Sequence, residues 1–152
     1  MKRKTTSRSS AGRTSLTRTR QRVGVAADHG GFELKKQLVG KLREAGHEVI
    51  DFGDRRPKLD DDYPDFVVPL ARAVALGELD RGVAVCGSGV GASVCANKVA
   101  GVRACLIHET FSAHQGVEDD NLNMICMAST PRRCGWSFMP TESKTALRCG
   151  RK

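Results

Sequence analysis

The sequence lacks any long apolar run. Nothing in its 152 residues approaches the ~18 consecutive apolar residues that a membrane helix needs, so no membrane partner is expected. No apolar stretch follows the first residue, which argues against a secretory signal. The six cysteines include no Cys-x-x-Cys pair, and this argues against a structural zinc site of the usual spacing. A chain of this length with 39% hydrophobic residues is too core-rich for the disulfide-scaffold class. Asp60-Asp61-Asp62 lacks EF-hand spacing and reads as a solvated acidic loop. There is no internal repeat.

Acid is absent from the first 22 residues, which hold eight Lys/Arg. Residues 23–130 reverse the balance, with eleven bases and sixteen acids. Residues 131–152 are basic again, with six bases and one acid. The formal net charge of +8 therefore belongs to the ends. It says little about what the acidic middle binds, and no nucleic-acid partner is expected from it.

Residues 1–21 are Arg/Ser/Thr-rich, with Met1, Ala11 and Leu16 as their apolar members. Such a segment buries too little surface to offset chain entropy and reads as a disordered basic extension. It is compatible with an organelle-targeting segment, a nucleic-acid-binding arm or an extension without function. The expected location of the protein is cytoplasmic, with targeting by this segment left open.

Structure begins at Arg22. Val23 to Ala27 is a short apolar strand that stops at Asp28-His29-Gly30-Gly31. Leu34, Leu38 and Leu42 then recur every four residues, a helical period, and Gly46 marks the stop. His47 to Phe52 reads as a second strand, followed by a polar loop to Asp62. Pro64 suits the first turn of a helix to about Leu76. Gly82 to Cys86 is a third strand, and Gly87-Ser88-Gly89-Val90-Gly91 opens a helix to about Lys98. Val102 to Ile107 is a fourth strand, Thr110 to Val117 a helix, and Leu122 to Met127 a fifth strand. Alternation of strand and helix predicts a Rossmann-like three-layer α/β/α domain over residues 22–130 with a five-stranded parallel sheet. Residues 131–152 form an atypical basic tail in which no closing helix is visible.

In open α/β sheets, ligands bind beyond the carboxyl ends of the strands. The residues expected at that edge are Asp28-His29, the Cys86 loop and the Glu118-Asp119-Asp120-Asn121 segment. Glycines in the Cys86 loop let backbone N–H groups approach a ligand, and the helix behind it points its positive end there. A thiol at that lip is placed to act as base or nucleophile. The alternative is a small buried strand residue, and the loop context favours the functional reading. Gly87, Gly89 and Ala92 also satisfy G-x-G-x-x-A, with Glu109 near the end of the next strand, which is a dinucleotide fingerprint. Asp28-His29 suits a ligand hydroxyl and an anion, or simply a turn held by the aspartate. His47 reads as structural, His108 as facing the site edge and His114 as exposed. Cys95, Cys105 and Cys126 read as core packing.

Taken together these residues resemble the ribose-5-phosphate isomerase B family, which includes the galactose-6-phosphate isomerase subunits. The matching pieces are residues 27–35, 46–53, Asp62-Tyr63-Pro64-Asp65, the Cys86 loop, Ala96-Asn97-Lys98 and Gly101-Val102-Arg103-Ala104, in the family's order over about residues 22–127. The resemblance implies aldose–ketose isomerisation of a sugar phosphate, with ribose 5-phosphate to ribulose 5-phosphate first in line, without metal or other cofactor. Cys86 would be the base that moves a proton between C1 and C2, through an enediolate held by backbone N–H groups of Gly87, Gly89, Val90 and Gly91. Ser88 would assist proton transfer at the oxygens. Asp28 would help ring opening, His29 would lie toward the phosphate, and Tyr63 and Asn97 would line the pocket. Members are usually homodimers with sites completed across the interface.

Two stretches depart from the family. Its usual His-Asn pair before the fifth strand reads Asp119-Asp120 here, with Asp119 as a candidate proton acceptor and Asp120 as a candidate substrate contact. The Gly-rich segment, final helix and later arginines have no recognisable match, and Arg132, Arg133 and Arg148 cannot be assigned to phosphate binding. The alternatives are a catalytically impaired sugar-phosphate binder of the same family, or a dinucleotide-binding module.

Overall fold

The computed structural model describes residues 20–58 and 60–129. Most of the basic extension and all of the tail, with Cys134, Cys149 and the three unassigned arginines, lie outside the described residues.

The elements are β1 (Arg22–Ala27), α1 (Phe32–Glu44), β2 (Glu48–Asp51), α2 (Tyr63–Ala75), β3 (Arg81–Cys86), α3 (Val90–Ala96), β4 (Ala104–Leu106), α4 (Thr110–Asp120) and β5 (Met124–Ala128). The five strands form one sheet in the order β2-β1-β3-β5-β4. Every neighbouring pair is parallel. This is the expected Rossmann-like three-layer α/β/α arrangement.

Strand alternation builds two cores. Val23 and Val25 of β1 pack with Val39 and Leu42 of α1, Val49 and Val83 on one face. Ala26, Ala84 and Cys86 face the other way, where Val67, Leu70, Ala71 and Val74 of α2 meet Ala92 and Ala96 of α3. Period-2 strands buried on both faces produce this pattern. Buried apolar area, at about 25 cal/mol per Å², holds the layers together.

The chain leaves β1 for β2 on one side and then crosses to β3 on the other side of β1. The order therefore reverses between β1 and β3. A crevice for a ligand is expected beyond the carboxyl ends of these two strands, where Asp28 and Cys86 sit.

Of the boundaries that differ from the sequence reading, three have a visible local reason. β4 is shorter because side chains take its leading backbone: Asn123 Oδ1 accepts from Arg103 N at 2.8 Å and Asn97 Oδ1 from Ala104 N at 3.0 Å. α3 stops at Ala96, with Asn97 as its C-cap. α4 runs on to Asp120 and ends at Asn121, whose φ of 52° is left-handed. Cys126 is buried as expected, and burial pushes its thiol up to about 12. Cys105 is not core: it is exposed, because β4 is an edge strand. His47 is structural, its Nδ1 accepting from Gln21 N at 3.3 Å.

Candidate active site

β3 delivers Cys86 to the carboxyl edge and the glycine loop turns immediately over it. Gly89 sits at φ 75°, and a Cβ there would lie 2.9 Å from the Met127 carbonyl carbon. Glycine is thus required twice, for the left-handed backbone and for the close approach. This turn brings the Gly89 N–H to Cys86 Sγ at 3.1 Å. The side chain is 4% exposed, so the sulfur lies just under the loop and accepts one of its amides. Val90 N–H is also engaged, donating to Ser88 Oγ at 3.3 Å. Two of the amides expected to face a substrate are therefore held within the loop.

The β1 corner meets this loop. Asp28 Oδ1 accepts from Gly31 N at 3.0 Å and caps the 3-10 turn His29–Gly31. A Cβ at Gly30 would lie 3.3 Å from Asp28 Oδ1 and 3.8 Å from Gly87 N, so corner and loop face each other across one glycine. Burial raises the Asp28 carboxyl above its ordinary range, against the pull of the Gly31 N–H and the His29 charge. A carboxyl so placed suits proton transfer nearer neutral pH.

Tyr63 opens α2 and packs on the same loop: a Cβ at Gly91 would lie 2.7 Å from its ring. Ser129, beyond β5, donates its N–H to the Cys86 carbonyl at 2.9 Å. Its hydroxyl is buried without a hydrogen-bond partner among the described residues. Cys86, the glycine loop, Ser88, Asp28, His29 and Tyr63 thus come together at one edge.

Three expected residues do not join them. Asn97 lies at the far end of α3, and its amide is spent on structure: Nδ2 donates to Ser93 O at 2.9 Å and Ala104 O at 2.7 Å, besides the bond to Ala104 N. Asp119 and Asp120 precede a parallel strand, so they lie at its amino edge, opposite Cys86. There Arg103 Nη1 donates to Asp120 O at 3.2 Å. Expecting the Asp119-Asp120 segment at the carboxyl edge was a mistake about chain direction. The dinucleotide reading also fails. Glu109 caps α4, its two carboxylate oxygens accepting from Phe111 N and Ser112 N at 2.6 Å each, and the Ser112 side chain together with these amides holds its carboxyl below the usual range. Moreover β5 separates the Glu109 strand from β3, whereas the fingerprint needs adjacent strands.

Two residues went unnoticed in the sequence. Asp61 is no solvated loop residue: its Oδ1 accepts from His29 N at 2.9 Å and lies 2.6 Å from His29 Nδ1. Nothing in a run of three aspartates distinguishes the middle one. Lys35 is buried under the loop after β2, with Nζ on Asp51 Oδ1 at 2.9 Å and Asp54 O at 2.8 Å. Helical periodicity did place Lys35 one position after Leu34, but a lysine there reads as surface. A pocket of about 350 Å³ lined by Asp54, Lys58, Asp60, Asp61, Asp65 and Phe66 lies beside this loop. It does not include Cys86, and its acidic lining disfavours an anion.

This is a Rossmann-like α/β domain with a thiol, a carboxyl and an imidazole gathered at the strand-order reversal. Residues 23–136 match the model of the ribose/galactose isomerase family. The ribose-5-phosphate isomerase B of Escherichia coli is 40% identical over 109 residues, 72% of either chain. The solved ribose-5-phosphate isomerase B of Clostridium thermocellum superposes with a TM-score of 0.68 at 40% identity, over 70% of this chain and 72% of that one. That of Mycoplasma genitalium, with bound ribulose-5-phosphate, gives 0.68 at 37% identity over 71% and 72%. The chain belongs to the ribose/galactose isomerase family.

Proposed function

We propose that the chain isomerises an aldose phosphate to its ketose, with ribose 5-phosphate and ribulose 5-phosphate as the pair. Cys86 is the base. As thiolate it takes the proton from C2 of the open-chain aldose, electrons pass to the carbonyl to form an enediolate, and the thiol returns the proton to C1. C2–H is a weak acid, so the oxyanion needs donors beside it; in this reading the Gly89 and Val90 N–H groups exchange Cys86 Sγ and Ser88 Oγ for the oxyanion when substrate binds. Ser88 moves protons at the oxygens, Asp28 opens the ring, His29 faces the phosphate and Tyr63 lines the pocket. No step needs a metal.

The observation that carries this reading is the Gly89 N–H on Cys86 Sγ at 3.1 Å, with Asp28 across the loop. The test is an assay of the purified chain against a panel of aldose phosphates, read for ketose. Ketose from ribose 5-phosphate that disappears in C86A supports the proposal. No ketose from any aldose, or full turnover in C86A, contradicts it. A second reading, a sugar-phosphate binder without turnover, is favoured by the Val90 N–H, which is spent on Ser88 Oγ and occupies the hydroxyl that would move protons. It predicts thermal stabilisation by sugar phosphates without conversion.

The proposal includes a homodimer and a cytoplasmic location. Val90 and Val94, one turn apart on α3, are exposed apolar residues near the site and suit a second copy. Asp119 and Asp120 would then reach a site only across the dimer. No helix among the described residues is long and apolar enough to cross a membrane.

A further inference from the structure

His29 presents two N–H groups to a single oxygen, Asp61 Oδ1, from its backbone at 2.9 Å and from ring Nδ1 at 2.6 Å. The Asp61 side chain is 7% exposed, whereas that of His29 is 40% exposed. A carboxylate accepts and does not donate, so Nδ1 carries a proton. No hydrogen bond within the described residues occupies Nε2. When the ring is neutral, Nε2 is a bare acceptor and repels an anion. When the ring is charged, Nε2–H is a donor beside solvent.

We propose that Asp61 is a positioning residue that holds His29 as a doubly protonated ring whose Nε2–H binds the substrate's phosphate group. This rests on the reading of His29 as the residue toward the phosphate.

Both ends of the loop that carries Asp61 are anchored. Lys35 fixes its start through Asp51 and the Asp54 carbonyl. α2 begins two residues after Asp61 and fixes its end. The titratable groups that face His29 are Asp28 on its own turn and Asp61 on this loop. Both are acidic and favour the charged ring. The adjacent glycine loop carries no charged side chain, and Lys58 is tied to Asp54 at 3.0 Å. The hydrogen bond to Asp61 accordingly raises His29 above its ordinary value, against the cost of desolvation. Below that ordinary value the ring is charged without help. Above it the clamp keeps the charge, and phosphate binding fades as pH rises through the raised value.

The test is an NMR titration of the histidine rings in the full chain, with and without inorganic phosphate, and H29Q assigns the His29 signal among the four histidines. In wild type the His29 ring should titrate above its ordinary value, and phosphate should move its signal. In D61N the titration should move down toward the ordinary histidine value, which lowers the charged fraction and weakens phosphate binding above that value. D61E, which keeps a carboxylate, should recover part of both and guards against simple misfolding. In turnover assays D61N should raise KM by a similar factor while changing kcat less. An unmoved His29 titration in D61N, or equal phosphate binding in H29Q and wild type, would overturn the proposal. Absent turnover in a wild type that keeps the clamp and binds phosphate would remove the isomerase reading and leave this one standing.

Discussion

The two edges of the sheet use polar side chains differently. At the amino edge, Asn97, Asn123 and Arg103 are consumed by backbone within about one turn of chain or one neighbouring strand. They close the gaps between α3, β4, α4 and β5. At the carboxyl edge, polar groups from distant segments meet each other instead: Asp61 holds His29, and Gly89 holds Cys86. Satisfied locally, a polar group stabilises the fold. Held by a partner from a distant segment at the ligand edge, it is prepared for a ligand. The family motifs run through both edges, so motif membership alone does not separate the two uses.

The largest effect expected is at Cys86. C86A should lower kcat about 10³-fold, within the range general bases contribute, and should leave far-UV circular dichroism unchanged. Turnover within tenfold of wild type would erase the contrast between the edges. Next comes G89A, which forces a Cβ into a left-handed backbone and against Met127. It should cost about 2–3 kcal/mol in urea unfolding. A neutral result would mean that the loop over the sulfur is not held as described.

N97A should behave in the opposite sense to C86A. It strips three hydrogen bonds from the α3–β4 junction and should cost about 1–3 kcal/mol, with KM of the folded enzyme moving less than about twofold. A tenfold rise in KM with unchanged stability would return Asn97 to the site. The smallest effect concerns pH. His29 is raised in the folded state by Asp61. The stability it adds is complete below the unfolded histidine value and is lost as pH rises through the raised one. Urea midpoints of wild type and D61N should therefore differ at pH 5.5 and converge by pH 9. A gap that widens with pH would reverse the sign.

The architecture was legible because strand and helix periods alternate cleanly from Val23 onward and each break as far as β4 carries a glycine or proline. The Cys86 loop was legible because glycines after a buried strand have few other uses. Asn97 and Asp120 were misplaced because a sequence does not display which end of an element faces the ligand edge. That follows from parallel pairing, where β5 must enter from the amino side. Asp61 was invisible for another reason. Its role depends on a contact across 32 residues with His29, and no local period or spacing encodes such a contact. Lys35 was hidden likewise, since its burial depends on Asp51 and Asp54 arriving above it.

The most direct measurement is isomerisation of ribose 5-phosphate in D₂O followed by NMR. Wild type should form ribulose 5-phosphate carrying solvent deuterium at C1, and C86A should form neither ketose nor deuterated sugar. Ketose with deuterium arising at the wild-type rate from C86A would contradict the assignment of the sulfur as proton carrier.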